Sequence, residues 1–372
     1  MHRVAISSTG LYLPPNIISN EELVVAFNQF AELENARNAV DIEAGTRQPI
    51  APSSVEFIEK ASGIKRRYVM DKTGVLDPQR MRPRLKARPD SEISLMAEIG
   101  VASARDALAR ANKQPADIDG VICAAANMQR AYPAMAVEIQ TALGIKGFGF
   151  DMNVACSSAT FAIEMAVNAV KCGSARAILV VDPEITSPHL AWKDRDCHFI
   201  FGDVCTAILI ERLDSAPVGA FEVLGTRLLT TFSNNIRNNA GFMSRSEDRN
   251  PEDRDQLFYQ EGRKVFKEVC PMAAEHINKH LAEHGLAPNG VRRFWLHQAN
   301  LAMNQLIGRK LLGRDATPDD APVILDEFAN TASAGSIIAF HRHHDDIQTG
   351  EVGVICSFGA GYSIGSVVLR RT

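Results

Sequence analysis

Residues 143–160 read LGIKGFGFDMNVACSSAT: a helix-ending Leu-Gly pair, a short alternating strand, then small residues with one cysteine opening the next helix. The same grammar returns at residues 312–335, LGRDATPDDAPVILDEFANTASAG. Glycine after the last periodic residue is a helix stop, and alternation marks a strand, so both stretches predict helix, strand and helix in that order. Outward from this pair the correspondence continues. A helix over Ser94–Ala111, the turn Asp119-Gly120 and an apolar strand Val121–Ala125 match a helix over Arg263–His284, the turn Asn289-Gly290 and a strand Val291–Leu296. The turns are 170 residues apart and the Leu-Gly pairs 169. Strands are expected at Gly149–Val154 and Val323–Phe328, followed by helices ending near Gly173 and Gly350, then strands at Ala177–Val181 and Gly353–Ser357. Phe201-Gly202 and Phe358-Gly359 each precede a run that reads like an edge strand, Thr206–Ile210 and Gly365–Leu369, while Val4–Leu13 and Ala220–Leu229 alternate like opening strands. Agreement in order across so many pairs points to duplication of one α/β unit with covered sheets. The halves divide at about residues 1–213 and 214–372, and residues 24–54 and 71–91 have no counterpart in the second half.

Composition narrows the class. The 372 residues are 46% hydrophobic and 23% charged, with a formal net charge of −4, values of an ordinary globular chain without attraction to nucleic acid. No apolar run reaches the ~20 residues of a membrane-spanning helix. The opening MHRVAISSTGLYLPP has no basic region leading into a signal-length apolar segment, and seven scattered cysteines read as reduced thiols. A cytoplasmic enzyme without metal or other cofactor is the expectation. The second insertion carries Arg80, Arg82, Arg84, Lys86 and Arg88, a local basic patch suited to an acidic partner or a phosphate, or simply to solvent.

Three side chains carry the chemistry. Cys156 stands where a strand runs into a helix start, so peptide dipoles favour its thiolate and free backbone N–H groups are available for an oxyanion. His297 ends the strand Phe294-Trp295-Leu296, and Asn330 follows the expected strand Val323–Phe328, so duplication brings both to the loop of Cys156. A thiolate can hold an acyl group as a thioester, while imidazole and amide donors can stabilise an enolate without a metal. That suits carbon–carbon condensation on a thioester. Cys, His and Asn also serve cysteine hydrolases, and the 141-residue Cys-to-His interval falls in the papain range of roughly 130–150. The cysteine-protease signature around the nucleophile is absent, and Cys156 lies mid-chain.

Taken together, Ser62-Gly63-Ile64-Lys65-Arg66-Arg67, Leu143-Gly144-Ile145-Lys146-Gly147, Ala155-Cys156, Phe201-Gly202-Asp203, His297-Gln298-Ala299-Asn300, Asn330-Thr331 and Phe358-Gly359-Ala360-Gly361 resemble the β-ketoacyl-acyl carrier protein synthase III family. The resemblance spans nearly the whole chain apart from the two insertions. It implies a thiolase-like α/β fold, duplicated in five α-β-α-β-α layers, and the initiating condensation of fatty acid biosynthesis. An acyl-CoA primer would acylate Cys156; malonyl-acyl carrier protein would then lose carbon dioxide, and its enolate, held by His297 and Asn330, would attack the thioester. The resemblance further implies an oxyanion hole from the backbone of Cys156 and Ala360, and CoA contacts by Phe57, Arg195 and Asn300. Tyr132 is implied to enter the partner's acyl pocket across a homodimer. Phe57 stands where compact members carry tryptophan, and Ala61 and Ala302 replace arginines used for CoA and carrier protein, so docking by Arg80, Arg82, Arg84 and Lys86 is expected instead. A related condensing enzyme that joins acyl thioesters without malonyl-acyl carrier protein is the second reading.

Three further motifs do not add functions. Gly359-Ala-Gly-Tyr-Ser-Ile-Gly365 precedes a strand and its third glycine is one residue late for a dinucleotide loop. Ser62-Gly-Ile-Lys65 and Lys72-Thr-Gly74 lie too close together, with no Ser-Asp-Asn between them, for a penicillin-binding site. His341-Arg-His343-His344-Asp345-Asp346 lacks the spacing of a structural zinc site and reads as a solvated helix end.

Overall fold

Nine strands join in one sheet whose order mirrors about its centre. In chain order they are β1 (Val4–Tyr12), β2 (Gly120–Ala124), β3 (Phe148–Met152), β4 (Ala177–Glu184), β5 (Val204–Arg212), β6 (Phe221–Thr230), β7 (Arg293–Leu296), β8 (Val352–Gly359) and β9 (Ser363–Arg371). The sheet runs β7-β8-β9-β6-β1-β5-β4-β2-β3. From the central antiparallel pair β1·β6, bridged at Ala5–Glu222 and Ile6–Phe221, each half repeats the same sequence of pairings outward. Two antiparallel ladders come first, then parallel ones: β1·β5, β5·β4 and β4·β2 on one side, β6·β9, β9·β8 and β8·β7 on the other. This computed structural model describes residues 1–250 and 253–372.

The principal helices fill three layers around the two half-sheets. Helices α1 (Asn20–Arg37) and α2 (Val55–Ser62) belong to a cap, described below. Helices α3 (Leu95–Arg110) and α4 (Met135–Leu143) cover the outer face of the first half. Helix α5 (Ser158–Cys172) lies between the halves. Helices α6 (Gly262–Glu283) and α7 (Leu301–Leu312) cover the outer face of the second half, and α8 (Gly335–Arg342) joins α5 in the middle layer. The middle layer is apolar on both sides: Ala159, Ala162, Ile163 and Ala166 of α5 meet Ile337, Ile338 and Phe340 of α8 and strands of both halves. Small residues on α5 let the half-sheets approach it closely, and their burial at about 25 cal/mol per Å² of apolar surface is the main force holding the layers. The duplicated five-layer α-β-α-β-α fold expected from the sequence is the one observed.

Three expectations need correction. The second-half helix expected to end near Gly350 stops at Arg342. Val323–Phe328 is not a strand: Leu325–Phe328 forms one short helix. Its backbone is claimed by other partners, since Gln298 Oε1 accepts from Ile324 N–H and Asp326 C=O accepts from Lys65 N–H. The runs at Thr206–Ile210 and Gly365–Leu369 are not edges either. They lie inside β5 and β9, each with a neighbour on both sides, and their side chains are buried throughout.

Residues 24–54 begin within α1, whose Ser19/Glu22 capping box fixes its start, and end before α2. Leu23, Phe27 and Phe30 of α1 pack with Ile58 of α2, Trp192 and Phe199, so this region caps the carboxyl ends of the strands. Residues 71–91 have no helix or strand; the Asp71 carboxylate accepts from the N–H groups of Gly74 and Arg84 at 2.8 and 2.7 Å and closes the loop. The His341–Asp346 segment is structural: Thr9 Oγ1 meets His341 Nδ1 at 2.8 Å, and Asp346 pairs with Arg293.

Candidate active site

The two halves present the same turn at the same place. In the first, Asn153 Oδ1 accepts from Ala155 N–H at 2.8 Å, Ala155 adopts φ 47°, and a 3-10 turn over Ala155–Ser157 leads into α5. In the second, Asn330 Oδ1 accepts from Ala332 N–H at 2.9 Å, Ala332 adopts φ 48°, and a turn over Ala332–Ala334 leads into α8. A left-handed alanine is strained, and its recurrence in both copies marks turns held by their surroundings. Cys156 and Ser333 are therefore structural equivalents.

Cys156 packs on the end of β8. A Cβ added to Gly359 would fall 2.5 Å from Cys156 Cβ and 3.0 Å from its Sγ, which leaves glycine as the residue that fits. The next residue, Ala360, directs its backbone N–H to the thiol sulfur. Asn330 is fixed by a one-residue ladder: its N–H donates to Ile200 C=O at 2.9 Å and its C=O accepts from Gly202 N–H at 3.1 Å. Its Oδ1 being taken by Ala332, the amide NH₂ is the end left for the cavity. His297 follows β7, held by its N–H to Cys356 C=O at 2.8 Å, with its ring edge-on to Phe358 at 5.2 Å between centroids.

Cys156, His297 and Asn330 line one cavity of about 640 Å³, walled by Phe199, Ile200, Phe201 and Phe258. Ala61, Asp196, Arg263, Asn300 and Ala302 line it as well, each on a loop or helix end. The three chemical side chains predicted from sequence thus meet. The sequence expectation of a favoured thiolate does not hold. Part of Cys156 stays open to the cavity, yet burial of its sulfur, reinforced by the charge of Glu184, pushes the thiol up to about 12, against the N–H groups of Ala360 and Cys156 itself. Desolvation outweighs the dipoles of a helix that starts two residues later. Burial also pushes His297 down to about 4, so its imidazole is neutral at physiological pH. Its Nδ1 is buried without a partner among the described residues.

The other predicted positions divide. The Arg195 guanidinium lies over the Phe57 ring, 3.7 Å from its centroid, and Arg195 Nε donates to Pro52 C=O. The pair is together but closed on itself; a base entering between the two groups must part them. Asn300 caps α7 through Ala302 N–H and donates to Ala61 C=O at 2.6 Å, so both ends of its amide are engaged. Tyr132 lies outside the cavity of its own chain and is 85% exposed. Of the basic loop, Arg80 donates to the carbonyls of Arg82 and Pro83 and Arg84 pairs with Asp77, while Lys86 borders a second cavity, of about 700 Å³. No group of three or more His, Cys, Asp or Glu side chains among the described residues is arranged to hold a metal ion.

Residues 150–227 match the profile of 3-oxoacyl-[acyl-carrier-protein (ACP)] synthase III, and residues 281–371 that of its C-terminal part. The chain is 60% identical over 347 residues to the β-ketodecanoyl-[acyl-carrier-protein] synthase of Pseudomonas aeruginosa, covering 93% of this chain and 99% of that one. This chain belongs to the β-ketoacyl-acyl carrier protein synthase III family. A β-ketoacyl-[acyl-carrier-protein] synthase III of Granulibacter bethesdensis is 28% identical over the full length of both chains. In fold, the synthase III crystal structure from Aquifex aeolicus superposes with a TM-score of 0.77 at 23% identity, covering 99% of each chain. The family places the protein among acyltransferases, as a condensing enzyme of fatty acid biosynthesis.

Within this synthase III framework, sequence reasoning missed two buried acids. Asp182 and Glu184 lie at the end of β4, each with a carboxyl oxygen at hydrogen-bonding distance from Ser333 Oγ. The available signal was two carboxylates continuing an apolar run, AILVVDPE, where the strand was expected to stop at Val181.

Proposed function

We propose that this synthase uses Cys156 as acyl carrier and His297 with Asn330 as enolate donors, and that its preferred primer is an eight-carbon acyl-CoA. The Cys156 thiol attacks the primer thioester; the new Sγ–C bond forms as the bond to CoA sulfur breaks, and the thiol proton is carried by solvent to the departing CoA thiolate. Malonyl-acyl carrier protein enters next. Its carboxylate leaves as carbon dioxide, the bonding pair moves into an enolate, and N–H donors from His297 and Asn330 hold the enolate oxygen. The enolate carbon attacks the Cys156 thioester, and the cysteine sulfur leaves and recovers a proton. Backbone N–H groups of Cys156 and Ala360 receive the oxyanion in both acyl steps. No metal or other cofactor enters this sequence.

The juxtaposition that carries the reading is a thiol, a neutral imidazole and an amide NH₂ on one largely apolar cavity, with the Ala360 N–H on the sulfur. The primer length follows from the Pseudomonas aeruginosa relative. A β-ketodecanoyl product has ten carbons, and malonyl supplies two of them after decarboxylation. Offering acetyl-, butyryl- and octanoyl-CoA together with malonyl-acyl carrier protein should give mainly β-ketodecanoyl-acyl carrier protein. Condensation that proceeds without malonyl-acyl carrier protein would overturn the reading in favour of acyl–acyl joining.

The assembly is proposed to be a homodimer. Strand β3 is at one end of the sheet with Phe148 and Phe150 exposed, and exposed Tyr132 lies on the connection leading to α4. A two-fold pairing of β3 edges covers this apolar surface and carries Tyr132 toward the partner's acyl pocket. The acidic carrier protein is assigned to Arg80, Arg82, Arg84 and Lys86, with Lys86 contributing most because Arg84 shares its charge with Asp77. Phe57 and Arg195 part to admit the CoA base, and Asn300 borders the pantetheine arm. All seven cysteines are unpaired and no helix among the described residues is long and apolar enough to cross a membrane, in keeping with a cytoplasmic enzyme.

A further inference from the structure

Beneath the turn that carries Asn330, three oxygen-bearing side chains meet at direct hydrogen-bonding distance. Asp182 and Glu184 are 0% and 1% exposed. Ser333 Oγ lies 2.5 Å from Asp182 Oδ1 and 2.7 Å from Glu184 Oε1. A hydroxyl has one proton to donate and an ionised carboxylate has none, so two such contacts require a second proton on one carboxyl group. Donor counting says which. Glu184 Oε1 also accepts from Ala126 N–H at 2.9 Å and Ser333 N–H at 3.1 Å, three donors in all, which favour its charged form against the burial that raises it. The other oxygen of Asp182 meets a single hydroxyl, that of Thr206, at 3.3 Å. Asp182 therefore keeps the proton and donates it to Ser333, whose hydroxyl donates to Glu184.

We propose that Asp182, Ser333 and Glu184 form a proton-sharing relay that anchors the Asn330 turn and sets the charge of Glu184 against the Cys156 thiol. The three are positioning residues, since none lines the cavity with the reacting atoms. Ser333 occupies the place that Cys156 holds in the first half, so the second copy of the turn gives its side chain to the anchor. Glu184 is tied to the turn of Cys156 through Ala126, whose N–H donates to Glu184 and whose C=O accepts from Asn153 Nδ2, and its charge adds to burial in keeping the nucleophile a thiol. Other titratable groups face this centre. Asp203 is fixed by N–H groups of Met70, Thr186 and Ser187, and Asp151 by those of Met135 and Ala136. Cys123 and Cys205 are buried thiols next to the acids, and His297 is neutral across the cavity.

The proposal rests on Cys156 being the nucleophile, but its test needs no substrate, so the two can fail separately. The full-length protein is alkylated with iodoacetamide across pH, and the adduct on Cys156 is followed by mass. Glu184→Gln removes the charge and should move the profile about one pH unit lower, roughly tenfold faster on the rising limb. Asp182→Asn supplies an amide N–H where the acid O–H stood and should leave the profile in place. A profile unmoved in Glu184→Gln, or moved as far in Asp182→Asn, would overturn the assignment. Independently of both, Ser333→Ala should lower the kcat of condensation about tenfold and Ser333→Thr, which keeps the hydroxyl, should restore most of it. Equal loss in the two serine variants would contradict the relay.

Discussion

The turns around Cys156 and Ser333 share an asparagine that bonds two residues ahead, a left-handed alanine and a helix start, yet they have diverged in use. In the first half the asparagine is structural, because Asn153 Nδ2 also donates to Ala126 C=O at 2.8 Å, and the residue on the bend faces the cavity. In the second half the asparagine keeps its NH₂ free for the cavity, and the residue on the bend is spent on buried carboxylates. One backbone device thus positions a nucleophile in one copy and an amide donor in the other. Duplication supplies the geometry, and the side chains on it divide the chemistry.

The largest effect should come from the first turn. Cys156→Ala is expected to cut condensation below about one-thousandth, read as β-ketoacyl-acyl carrier protein formed per minute. In the second turn, Asn330→Asp keeps the oxygen that accepts from Ala332 N–H but removes the NH₂ donor. It should fold normally and lose condensation about 10²–10³-fold while acylation from the primer persists; loss of acylation to the same degree would break the division of roles. His297→Ala should behave alike. At the contact between the halves, Gly359→Ala forces a methyl group into Cys156. It should cost about 1–3 kcal/mol of stability by denaturant unfolding and slow acylation as well.

The smallest effect separates the outer layers. In the second half, α6 carries His276 and His280, which burial pushes down to about 4 and about 3, whereas α3 in the first half has no histidine. A histidine held neutral when folded but titrating near 6.5 when unfolded binds more protons in the unfolded chain. Its stabilisation is present above about 6.5 and is lost as pH falls toward 4. Each should cost about 1–2 kcal/mol at pH 5. Protection from hydrogen exchange, taken relative to the intrinsic rate at each pH, should therefore fall from pH 7 to pH 5 more in α6 than in α3; an equal fall would contradict the asymmetry.

Much of this architecture was legible because duplication let each segment be read twice. Helix stops at Gly144 and Gly313, and small residues at both turns, placed Cys156 and Asn330 at the same end of the molecule without coordinates. Where the copies diverge, reading failed. Residues 325–328 became a short helix in place of the expected strand because Gln298 and Lys65, remote in sequence, take backbone groups of this segment. The acids of β4 went unseen because a charge after an apolar run looks like an exit to solvent. Only tertiary structure shows Pro183 beyond the end of β2, needing no ladder partner on that side, with Glu184 still buried. The protonation of Cys156 was misread for the same reason: local dipoles are visible in sequence, whereas the burial that outweighs them is not.

The central claim is that one thiol from the first half receives the acyl group while two donors from the second half act only afterwards. Octanoyl-CoA should be incubated with the wild-type protein, His297→Ala and Asn330→Asp, and the adduct mapped to a peptide by mass. The account predicts one octanoyl group on the peptide containing Cys156 in all three proteins. An adduct on any other cysteine, or none in the wild type, would contradict it.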